Sequence, residues 1–159
     1  MLRRKAMKGR ILGILALAGA ITILGWVAYS LAGERVKGDT FAASLERGKK
    51  LYHDSKLGNN PTGMSCNRCH PGGKTTGGEV EMMGIRLKVP SLIGSAATFP
   101  KVKGPDKMMV TLSEMNNMCL TMMMKGQPLD LNSQESVDLA TYVSSFSKGK
   151  KYSPGGETK

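Results

Sequence analysis

The chain has 159 residues, with 23 basic against 12 acidic side chains, a formal charge of +11 and only 5% aromatic residues. That length bounds it to one modest domain plus an accessory segment. Dispersed charge with so few aromatics excludes a nucleic-acid-binding module, and a mildly basic, solvated surface is the default reading.

The accessory segment comes first. Residues 1–10, MLRRKAMKGR, carry Arg3, Arg4, Lys5, Lys8 and Arg10 without one acid. Residues 11–32, ILGILALAGAITILGWVAYSLA, contain no charge at all. As a helix this run rises roughly 33 Å, enough to cross the hydrocarbon core of a bilayer. Trp26 and Tyr29 fall near its far end, where amphipathic rings favour the interface, and the basic flank predicts a cytoplasmic amino terminus. Ser30-Leu31-Ala32 also offers small residues to a signal peptidase. The apolar run nonetheless exceeds the usual signal core, so a single retained transmembrane helix is expected.

Residues 33–40, GERVKGDT, read as a polar linker, and residues 41–148 as the folded domain. Leu45, Gly48, Leu51 and Tyr52 recur at helical spacing within FAASLERGKKLYHD, predicting a helix over 41–54. Next comes MSCNRCHPGG, with Cys66, Cys69 and His70. Two thiols three residues apart lie on one side of a helical turn and can add to the two vinyl groups of a porphyrin. The histidine that follows then supplies the proximal imidazole to the iron, so the motif predicts one covalent haem c. A zinc site would have to draw adjacent Cys69 and His70 onto one tetrahedral ion, and a redox dithiol has no need of the histidine.

Residues 71–109 are rich in glycine, proline and lysine without a sustained period, predicting loops, with one short helix over 90–94 capped by Ser91. The stretch NNMCLTMMMKGQPL, residues 116–129, follows as a sulfur-rich helix holding Met118, Cys119, Met122, Met123 and Met124. Asn132-Ser133-Gln134-Glu135 resembles a capping box that opens the last helix, with Asn132 at the cap. Leu139, Tyr142, Val143 and Phe146 supply its apolar stripe and Gly149 its stop. Residues 149–159 read as a flexible basic tail. The fold class expected is all-α, a small helical domain around one haem whose buried surface a core of this size needs.

At this point the chain resembles class I c-type cytochromes, through GKKLYHD, CNRCH and the final LATYVSSF. CNRCHPGGKT, ATFPKV and VTLSEMNNMCLTMMMKGQPLDLNSQESVDLATYV are similar, more specifically, to the haem domains of diheme thiosulfate dehydrogenases and of the SoxA subunit. The resemblance implies haem attachment outside the cytoplasm. The expected location is therefore a bacterial inner membrane crossed once, with the haem domain in the periplasm. It also implies that a cysteine at the position of Cys119 is the distal iron ligand, next to the sulfur-compound site. Those families place arginines around that cysteine, in a pattern like Arg-Ile-Asn-x-Cys-x-x-Arg-Ser, where this chain has Met115 and Met122. Two thioethers cannot replace charge-assisted donors to an anion.

Position along the chain leaves the distal ligand open. Cys119 lies 49 residues past His70, far enough to reach the opposite haem face, and Met115, Met118 and Met122 pass the same test. His53 reads as a surface histidine, and a methionine-rich copper(I) site is the remote alternative. The resemblance favours Cys119. The function expected is a membrane-anchored, single-haem electron carrier working with redox partner proteins, on its own or inside a larger respiratory or sulfur-oxidising complex. The alternative is a haem subunit or enzyme of thiosulfate or tetrathionate chemistry with Cys119 at the substrate site. No acid–base constellation for a stand-alone enzyme is visible.

Overall fold

The computed structural model describes residues 35–156 apart from Met83 and Pro105. The expected basic flank and transmembrane span at residues 1–32 lie outside these residues. Among the described residues no helix is long and apolar enough to cross a membrane.

Two helices frame the domain. Helix α1 (Phe41–His53) starts at Thr40, whose side chain accepts a hydrogen bond from Ala43 N at 3.1 Å and satisfies one of the orphan donors of the first turn. It packs on the last helix, α4 (Gln134–Ser145). Their close approach depends on Gly48: a Cβ there would lie 1.9 Å from the Asp138 carbonyl oxygen and 2.8 Å from Tyr142 Cβ. No other residue type permits this crossing distance.

Beside the crossing stands a polar clip. Asp138 is 2% exposed and accepts from Ser44 Oγ (2.7 Å), Arg47 Nε (2.6 Å) and Gln134 Nε2 (2.8 Å). A buried carboxylate is tolerated when donors converge on it in this way. Inward of the clip lies the apolar core of Tyr52, Leu57, Leu120, Met124, Leu139 and Val143. Tyr52 is fully buried, and its ring meets Tyr142 and Phe146 edge-on with centroids 5.1 and 5.6 Å apart.

The expectation of an all-α domain is corrected between the helices. Strands β1 (Glu79–Met82) and β2 (Ile85–Lys88) form an antiparallel ribbon, and β3 (Lys101–Lys103) and β4 (Met108–Val110) a second. The first ribbon sets Glu79 opposite Lys88 and Glu81 opposite Arg86, pairs of opposite charge that favour this register. Gly84 supplies the positive φ (76°) that its tight turn requires. Two-stranded ribbons are marginal alone. These are rooted in the domain by buried Val89 and Val110, and by the Thr75 hydroxyl donating to the Val89 carbonyl.

Three boundaries also differ from expectation. Residues 90–94 form a turn in which Ser91 Oγ accepts from Ile93 N at 3.1 Å, and the helical turn is a 3-10 segment displaced to Ser95–Thr98. The cap of α4 is Ser133, accepting from Ser136 N, one residue later than Asn132. The helix itself ends at Ser145, short of the expected 148. Beyond it, Ser153 N donates to Ala97 O at 2.8 Å and Gly155 N to Thr98 O at 3.0 Å.

Candidate functional site

Helix α2 (Cys66–Cys69) is a single turn, closed by His70 N donating to Cys66 O at 2.9 Å. Residues three apart are neighbours on a helix surface, so both thiols stand on one side of the turn. His70 then leaves helical geometry at φ −126°, ψ 61° and is pinned at three points. Its carbonyl accepts from Gly73 N (2.9 Å) and from the Tyr52 hydroxyl, and its Nδ1 lies 2.9 Å from Pro90 O. A carbonyl only accepts, so Nδ1 carries the proton and Nε2 keeps its lone pair. That is how an outer partner sets the tautomer of a metal-binding histidine. Burial lowers the imidazole pKa, and the backbone contacts at Pro90 and Lys74 offset only part of it, which holds the ring neutral.

Helix α3 (Leu112–Met118) opens with a complete capping box: Thr111 Oγ1 accepts from Glu114 N, and Glu114 Oε2 from Thr111 N at 2.7 Å. At Cys119 it changes to a π-helical segment, Cys119–Met123, in which Met124 N donates to Cys119 O at 3.2 Å. The Thr121 hydroxyl donates to Asn117 O at 2.9 Å, a back-bond of the kind that competes with helix hydrogen bonds. Asn117 also clasps Leu129, donating to its carbonyl at 2.8 Å and accepting from its N–H at 2.9 Å. The clasp ties the following loop to this helix.

Cys119 is open to solvent, yet enough protein surrounds it that desolvation, and secondarily the Cys69 thiol, raise its pKa. Burial first, then Cys119 and Cys69, push the Cys66 thiol up to about 12. Cys66, Cys69 and Cys119 are all free thiols, and β1 packs against the π segment that begins at Cys119. The methionines divide: Met124 is buried in the core and Met123 packs against it, whereas Met115, Met118 and Met122 remain half-buried. His53 is exposed at the end of α1, its ring edge against Tyr52.

These residues fit a covalent haem. Cys66 and Cys69 are free thiols on one turn, and His70 presents Nε2. Asn116 Nδ2, on α3, is a buried donor with no acceptor among the described residues. No group of three His, Cys, Asp or Glu side chains among them forms a closed shell for a bare metal ion. Pro90, Tyr52 and Asn116 were not singled out from the sequence as site residues. Only Asn116 carries a readable signal: a polar residue inside the i, i+4, i+8 stripe Leu112–Asn116–Leu120, whose flanking leucines pack in or on the core.

Comparison with known families adds one match, to the SoxA/TsdA, cytochrome c domain, over residues 47–152. No curated protein matches the chain.

Proposed function

Because the chain belongs to the SoxA/TsdA cytochrome c domain family, we propose that it is a membrane-anchored, single-haem electron carrier with His70 and Cys119 as axial ligands. Haem-based electron transfer and covalently bound haem c follow from the family; the ligands, the count of one haem, the anchor and the periplasmic location are our reading. Bound there, haem supplies a one-electron couple at its iron.

The rest of the work falls to the chain. Cys66 and Cys69 would hold the haem through thioether bonds. His70 offers Nε2, with Pro90 O and the Tyr52 hydroxyl holding the ring and backbone against reorientation. Cys119 would supply a thiolate, a strong electron donor that favours ferric iron and so a low reduction potential. The apolar run at residues 11–32 would hold the domain near redox partner proteins at the membrane, raising their effective concentration.

The observation that carries this reading is the His70 Nδ1 contact with Pro90 O at 2.9 Å, one residue beyond the paired thiols. It leaves Nε2 with the lone pair that an iron ligand requires. Expression in a host competent for cytochrome maturation tests it. The intact protein should gain the mass of one haem; Cys66→Ser and Cys69→Ser should each lose one thioether. A colourless product of unaltered mass refutes the reading. Cys119→Met should raise the midpoint potential and remove the ferric thiolate signature, and an unchanged potential and spectrum count against Cys119 as ligand.

A thiosulfate- or tetrathionate-converting role is the second reading, supported by the family and by the accessibility of Cys119. The thioethers of Met115 and Met122, standing at the arginine positions of the related enzymes, weaken it. Turnover of either anion by the purified protein would reverse the ranking.

A further inference from the structure

The linker expected at residues 33–40 is fastened to the domain from Arg35 onward. Arg35 Nε donates to Asn132 O at 3.3 Å, and Val36 N to Gln134 Oε1 at 3.1 Å. Asp39 is held by Arg47 and by Gln134 Nε2 at 3.2 Å, and Thr40 then caps α1. Leu131 precedes Asn132, and Phe41 follows Thr40, so these bonds gather Val36, Phe41 and Leu131 around Gln134. All three are exposed, at 51%, 70% and 42%, and Phe41 is the most exposed large apolar side chain among the described residues. Single exposed apolar residues are ordinary, whereas several at one place on a surface mark a contact.

Chain length says what covers them. The uncharged run at residues 11–32 ends at Ala32, and the first fastened residue is Arg35. Three residues of extended chain reach at most about 11 Å. The polar headgroup layer of a bilayer is itself about 5–8 Å deep. If residues 11–32 cross a bilayer, the end of the domain that holds Arg35 therefore stays against the headgroups. Asp39 and Asp130 balance Arg35 and Lys37 there, which suits a zwitterionic surface.

We propose that Val36, Phe41 and Leu131 form a lipid-facing patch that seats the domain on the bilayer in one orientation. Their side chains enter the boundary between headgroups and acyl chains. The inference rests on the reading of residues 11–32 as a membrane anchor. A domain seated in this way presents one fixed side to its redox partners, unlike a domain on a long flexible tether.

The test uses the haem-loaded full chain in phosphatidylcholine nanodiscs, with Trp26→Phe to silence the one native indole. Phe41→Trp then reports on the patch, and Met109→Trp, at an exposed position of the β3–β4 ribbon, serves as control. Bromine on the acyl chains quenches an indole only on contact, and the brightness ratio between brominated and plain discs cancels quenching by haem. Phe41→Trp should lose fluorescence in brominated discs and shift its emission to the blue, while Met109→Trp keeps its brightness. Adding Val36→Ser and Leu131→Ser should restore the brightness at position 41. Equal quenching at both positions, or none at either, overturns the proposal. So does a blue shift at position 41 that grows with the protein-to-lipid ratio without bromine quenching, which assigns the patch to a second copy. An alkaline carbonate wash of vesicles separates the two readings. Release of the chain refutes the anchor, whereas retention with position 41 unquenched refutes the patch alone.

Discussion

Gly48→Ala sets two effects of opposite sign against each other. On helix propensity alone alanine stabilises a helix interior by about 1 kcal/mol, and Gly48 lies inside α1. The added Cβ, however, would sit 1.9 Å from Asp138 O, 2.6 Å from Asp138 C and 2.8 Å from Tyr142 Cβ. Carbon and carbonyl oxygen meet at about 3.3 Å, so α1 and α4 must part by about 1.4 Å. Two of the three obstructing atoms are backbone and cannot rotate away. Parting loosens the packing of Tyr52, Leu139 and Val143 and stretches the Ser44 and Arg47 bonds to Asp138. Overpacking of this kind costs about 1–3 kcal/mol before those losses are added. The net effect should be destabilisation by about 2 kcal/mol, or a fall in melting temperature of about 8 °C for a domain of this size. Thermal and urea unfolding of the haem-loaded protein, followed by far-ultraviolet circular dichroism and haem absorbance together, measures it. A variant as stable as the parent would mean that the helices do not cross at Gly48, and the packing argument would be refuted.

Tyr52→Phe removes the hydroxyl that donates to His70 O while keeping the ring; the carbonyl retains Gly73 N. A loss of about 1 kcal/mol in urea unfolding is expected, with haem still attached. Burial alone would raise the Asp138 pKa, but the bonds from Arg47, Ser44 and Gln134 outweigh it and hold the carboxyl below its ordinary value. A group whose pKa is depressed on folding stabilises the fold above its unfolded pKa, about 3.9. That contribution should therefore be complete at neutral pH and drain away as pH falls below about 4. Asp138→Asn should lower stability at pH 7, and its stability curve should converge with that of the parent near pH 2. Parallel curves across this range would exclude the clip as a source of acid sensitivity.

The parts legible in advance were those whose information is local. The single turn that carries Cys66, Cys69 and His70 is one such part, because their spacing lies within four to five consecutive residues. Helices α1 and α4 were readable because burial of one face imposes a 3.6-residue period on each. The ribbons at 79–88 and 101–110 were not. Each strand has only three or four residues, too few for alternation to stand out among lysines and glycines. The displaced 3-10 turn and the one-residue shift of the α4 cap have the same origin. Ser91, Asn132 and Ser133 are all acceptable caps, and packing chooses among them.

Chain order alone puts two thiols and an imidazole within one turn, at Cys66, Cys69 and His70. Tertiary structure decides how they are held. Pro90 lies 20 residues past His70 and Tyr52 lies 18 before it, and only the folded chain sets their oxygens against its ring nitrogen and its carbonyl. The orphaned amide of Asn116 belongs to the same level, because hydrogen-bond satisfaction depends on every neighbour in space and no stretch of sequence contains them all.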